Sequence, residues 1–251
     1  MGTVAKRLRA ADDFIYHIYI HMNDVDQFVI FSGLKLQQFV SSVDPLRNLL
    51  LLKNTYDEGM FNNHTQHDYV VPEDIKQFVK KANNATELCW IDFAYERQLN
   101  DLTAREQAEL LYIAHKREPI SVPFFQKLQN RYVYIASTGE KVTKIYFKHL
   151  SDADMLIANV FNQIIREREN VTTLFRRRNK GNTPSITPEF LKAYRSYAKE
   201  GALFSLAKSD KTKATYEIEV RNLAHYNFPD EIWDDLKLIM KDQADDVIHI
   251  T

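Results

Sequence analysis

Apolar and polar positions along this chain change period several times, and each change predicts an element. Residues 14–22, FIYHIYIHM, are β-branched and aromatic without a breaker and predict a strand. Residues 24–43 return to apolar positions at helical spacing, with Asp24 available as an N-cap, and predict a helix. A short second helix is expected after Pro45, through Leu49 to Leu52. Residues 54–71 are polar, contain Gly59 and read as a long loop. Pro72 and the two acids after it then open a helix in the arrangement that suits the helix dipole.

The run 86–95, TELCWIDFAY, fits a strand or a buried helix equally well. Residues 102–116 form the clearest helix, with Thr103 and Glu106 spaced as a capping box and Leu110, Ile113 and Ala114 on the apolar face. Pro119 and Pro123 follow closely. They suggest a boundary between an N-terminal α+β half, 1–117, and a C-terminal helix-hairpin-helix half, 118–251, a single domain being the alternative.

Residues 131–148 predict a hairpin around Ser137, Thr138 and Gly139. Placing Val133 and Ile135 on one face with Thr143, Ile145 and Phe147 requires a loop of odd length, which a three-residue turn ending in Gly139 supplies. Ser151 to Asp154 cap a long helix. A further helix runs from Pro188 to Gly201, a second hairpin over 202–220 and a last helix over 228–241. Strands that fall in neighbouring pairs give the fold class α+β, with antiparallel hairpins and sheets covered by helices.

Composition narrows the function by exclusion. A hydrophobic fraction of 45% and a charged fraction of 27% belong to a folded chain. Thirty-three basic against 34 acidic residues leave a net charge of −1, so a nucleic-acid partner would need a local basic patch. One cysteine, Cys89, leaves no disulfide framework and no cysteine-rich zinc site. The longest candidate for an apolar span, LRNLLLLK at 46–53, is far short of the roughly 18 residues of a membrane helix, so no membrane association is expected. The N-terminus has no apolar core of a signal peptide, and Lys6 stands where a myristoylation signal carries Ser or Thr; the expected location is cytoplasmic. The six glycines are scattered, so neither Gly-x-Gly-x-x-Gly nor a Walker A loop can be written. Gly-x-Ser-x-Gly and His-Glu-x-x-His are missing too, and the expected cofactor is none.

Four groups of residues carry candidate chemistry. Arg166, Arg168, Arg176, Arg177, Arg178 and Lys180 lie within fifteen residues, opposed by Glu167 and Glu169. Guanidinium forks match phosphate oxygens, so this is the candidate anion site, against the simpler reading of a solvated helix end and loop. In the register above, Tyr132, Tyr134, Lys144 and Tyr146 share a face that could stack bases, against the simpler reading of a packing layer. His64, His67 and Asp68, with Asp57 and Glu58 upstream, form a candidate zinc or iron ligand set. Asp92, an acid inside CWIDF, must be paired or functional, with Arg97 or a lysine as the expected partner.

The reading these residues support is a non-catalytic intracellular binding or regulatory module. Its basic patch would engage nucleic acid or an acidic protein. The alternatives are a metal-dependent hydrolase built on the histidine loop and a structural homo-oligomer subunit.

Overall fold

The computed structural model describes residues 17–43, 45–82, 87–115, 120–121, 123–137, 141–173, 186, 188–208, 216–223 and 231–250, with 167–173, 188–189, 233–234 and 237 as backbone only. It is a mixed α+β fold in which the strand pairings given below are all antiparallel. The elements begin β1 (His17–Asn23), β2 (Phe28–Ser32), α1 (Leu36–Ser42), β3 (Asn48–Leu51), β4 (Met60–Asn62) and β5 (His67–Val70). A 3-10 turn (Pro72–Asp74) leads into α2 (Ile75–Ala82), followed by β6 (Leu88–Phe93), α3 (Arg97–Asn100), α4 (Ala104–Ile113), β7 (Tyr132–Ala136) and β8 (Thr143–Phe147). The chain continues through α5 (Leu150–Thr173), α6 (Pro188–Glu200), β9 (Ala202–Lys208), β10 (Tyr216–Asn222), α7 (Glu231–Ile239) and β11 (Asp246–Ile250).

Two compact units emerge. One gathers Met1–Met22, Phe31–Gly33 and Asp154–Thr251; the other gathers Asn23–Ile30 and Leu34–Ala153. The break expected between 117 and 118 therefore falls inside the second unit. The described residues just after it are packed into that unit: Ile120 N donates to Tyr146 Oη (2.9 Å), Asn130 Nδ2 donates to Pro123 O (3.0 Å), and Ile120 and Phe125 join the core that holds Val133.

In the second unit the strand order is β2-β8-β7-β6-β3-β5-β4, with residues 28–30 of β2 belonging to it. All six residues of β6 are buried, which is why its sequence, apart from Asp92, is apolar throughout rather than alternating. On one face Cys89, Ile91, Val133 and Tyr146 pack with Leu110 and Ile113 of α4. On the other, Phe39 of α1 meets Trp90, Tyr132, Tyr134 and Phe147 at ring distances of 5.3–6.5 Å. The predicted capping box of α4 is formed: Glu106 N donates to Thr103 Oγ1, and Thr103 N donates to Glu106 Oε2.

Three stretches of this unit depart from the sequence expectation. Residues 24–43 are not one helix. Asn23 Oδ1 accepts from the amides of Val25 and Asp26, folding a tight turn that sends 28–32 back as β2, and the helix starts only at Leu36. There Gln38 Oε1 accepts from Lys35 N, fixing the new start. After Pro45 the leucines form β3, whose Leu49 is paired to Val70 on one side and Asp92 on the other. The expected loop 54–71 contains the β4–β5 hairpin, turned by Gln66 at φ 59° and by Asn62 Oδ1, which accepts from Thr65 N.

In the first unit the order is β11-β10-β9-β1, with Ile18 opposite Phe204 and Val220 also opposite Phe204. Phe161 of α5, Phe190 and Tyr194 of α6 and Phe204 of β9 form an aromatic cluster. Tyr19, Leu203, Ile232 and Leu236 build a second apolar group under α7. Helix α6 ends at Gly201, whose φ of 85° favours glycine, as the sequence predicts. Strand β11 was not expected; it pairs along β10, Ile250 to Tyr216. Among the described residues no helix is long and apolar enough to cross a membrane.

Candidate functional site

The hairpin register is the first correction to the candidate chemistry. Tyr132 pairs with Phe147, Val133 with Tyr146 and Tyr134 with Ile145, so paired positions add to an odd number and the loop has an even length. Ser137 N donates to Val142 O (2.8 Å), extending the ladder by one more pair. This register splits the proposed stacking face. Tyr132 and Tyr134 point to the face covered by Phe39, while Lys144 and Tyr146 point to the other. All three tyrosines are buried, at 1%, 0% and 0% exposure, and cannot receive bases. Trp90 and Tyr134 stack on each other at 5.0 Å, and Lys144 Nζ lies 4.1 Å from the ring centre of Phe28. Desolvation holds the Lys144 ammonium below its ordinary pKa.

The histidine loop is the second correction. His64 Nε2 lies 2.8 Å from both Leu102 O and Gln107 Nε2, and His67 Nδ1 contacts Thr65 O. Asp68 Oδ2 accepts from Tyr56 N (3.0 Å), and Glu58 is paired with Lys81 at 2.6 Å. Each of these four groups thus has its own separate partner: Leu102 and Gln107 for His64, Thr65 for His67, Tyr56 for Asp68 and Lys81 for Glu58. Among the described residues no cluster of three or more His, Cys, Asp or Glu side chains could hold a metal.

Asp92 is 1% exposed, and its partner is neither Arg97 nor a lysine. Its Oδ1 accepts from the amides of Arg131 (2.8 Å) and Tyr132 (2.6 Å), where the β6–β7 ladder ends. Burial raises its pKa to about 6 against the pull of these two donors and the Arg131 and Arg47 charges. The carboxylate thus replaces two missing ladder acceptors, a structural task that explains an acid in an apolar strand. Cys89, beside it in sequence terms, is 1% exposed, and burial pushes its thiol up to about 12, far from a reactive thiolate.

Of the basic residues, Arg166 is exposed on α5 and makes no ion pair among the described residues. Arg168 continues the same helix. Its side chain, and all of Arg176, Arg177, Arg178 and Lys180, lie outside the described residues.

One further feature was not signalled by any motif. Helices α1 and α2 flank a groove of about 560 Å³. Leu46, Ile75 and Val79 form its floor at 8%, 4% and 5% exposure, with half-buried Val40 on one wall. Lys76 and Lys80, exposed and without an ion pair among the described residues, stand on its rim. The sequence held a trace of it: Pro72, Ile75, Lys76, Val79 and Lys80 recur at helical spacing, an apolar stripe edged by cations. The chain matches no protein-family model, no curated protein and no solved structure.

Proposed function

We propose that this protein is a cytoplasmic, non-catalytic binding or regulatory module whose segment 166–180 engages a phosphate-rich or acidic partner, either nucleic acid or an acidic protein. The observation that carries the reading is local: six cations face two carboxylates within fifteen residues of a chain whose net charge is −1. Exposed Arg166, at the near edge of that segment, is available to an incoming anion. Guanidinium groups grip phosphate and carboxylate oxygens in pairs, so five arginines of the six cations suit either partner.

The test is binding to heparin and to single-stranded RNA at low salt. Wild type binds both, and the triple reversal R176E/R177E/R178E abolishes binding while leaving the circular dichroism spectrum unchanged. A wild-type protein that binds neither polyanion removes the proposal.

A further inference from the structure

We propose that the groove between α1 and α2 docks a short amphipathic acidic helix from a protein partner. This second surface does not depend on segment 166–180. Three observations select that occupant.

The floor of Leu46, Ile75 and Val79 is apolar, while Gln37 and Ser41 join Val40 on the α1 side, so the groove calls for an amphipathic occupant with apolar side chains at its centre. The flanking helices are seven and eight residues long, about 11–12 Å at 1.5 Å per residue, which matches two turns of a partner helix. Such a helix would present apolar side chains at i, i+3 or i+4 and i+7.

The rim decides the charge. Lys76 and Lys80 are one helical turn apart on the same side of α2, and neither is neutralised by an ion pair among the described residues. The nearby lysine that is neutralised, Lys81, is held by Glu58 away from the groove lining. Two ammonium groups one turn apart, exposed and without an ion pair among the described residues, complement carboxylates at i and i+4 on the partner and repel a basic helix.

The experiment selects 16-residue peptides from a randomised display library on the full-length protein. It then measures individual peptides by fluorescence anisotropy. Enriched sequences are expected to combine the apolar spacing with Glu or Asp pairs one turn apart. The K76E/K80E variant, altered only at exposed positions, should weaken such a peptide about tenfold or more. Exchanging the peptide's two acids for Lys should restore binding to that variant. R176E/R177E/R178E should bind the peptide as wild type does. The inference is overturned if no consensus emerges, if K76E/K80E leaves affinity unchanged, or if the arginine variant loses the peptide. It is also overturned if K76E/K80E instead dissolves a self-association seen by sedimentation, because a second copy of the chain would then be the occupant.

Discussion

Asp92 shows how one side chain can be costly and necessary at once. Its carboxylate is desolvated, yet it is the acceptor for two amides that the end of the β6–β7 ladder leaves over. Buried donors stripped of their acceptor cost about 1–3 kcal/mol. Asp92→Ala should therefore destabilise by about 2 kcal/mol at pH 7, and Asp92→Asn by less, since an amide oxygen can accept the same pair. The pH dependence has a definite sign. The folded-state value, about 6, lies above the ordinary carboxylate value of about 4, so between them the folded state binds more protons than the unfolded state. The contribution of Asp92 is most favourable below about pH 4, falls as pH rises toward 6, and levels off above it. Urea titrations of wild type and D92N at pH 4.5, 5.5 and 7 read this directly. The wild-type advantage should shrink over that range, by about 2 kcal/mol in total. A pH-independent difference would refute the assignment.

At the scale of elements, Gly201 is the joint between α6 and β9. Its φ is 85°, and a Cβ built there would sit 2.6 Å from Tyr19 Oη. A left-handed conformation costs a non-glycine residue about 1–2 kcal/mol, and the contact adds to it. Gly201→Ala should thus lower stability by about 2 kcal/mol or more, while Y19F/G201A recovers the part due to the hydroxyl and keeps the backbone part. Equal losses in the single and double variants, measured by thermal unfolding, would show the contact to be harmless. This joint was legible in the sequence, as were the capping box of Thr103 and Glu106, the two later hairpins and every helix from Pro72 onward that carried a cap, a proline or a glycine. Those signals are local: a side chain finds its partner within four residues. The failures share the opposite property. FVIFS and NLLL become strands because the sheet gives them neighbours far away in sequence, β8 for the first and β6 for the second, and their apolar spacing within a short window fits a helix too. The β7–β8 register went wrong because both faces are buried, so the alternation that would fix it is absent. The histidine site failed for a related reason: whether His64 and His67 converge depends on Leu102, Thr65 and Gln107, which no spacing within the loop reveals.

For the whole molecule the question is whether a polyanion responds to net charge or to a local field. With 33 basic and 34 acidic residues, net charge gives no attraction, so any low-salt binding must come from uneven placement. Two variants separate the causes. R176Q/R177Q/R178Q removes three charges from the segment, while K148E/K192E/K241E alters three exposed lysines elsewhere and makes the chain more acidic still. If the segment holds the polyanion, the second variant binds single-stranded RNA nearly as wild type does, although its net charge is worse. Counterion release then sets the salt dependence. Six phosphates neutralised on a single strand give a slope of log affinity against log salt of about −4, and three give about −2. Wild type should approach the first value and the glutamine variant the second. Should the triple-lysine variant lose affinity as much as the arginine variant, attraction would be a diffuse property of the surface. The cations of segment 166–180 would then be ordinary solvated charges.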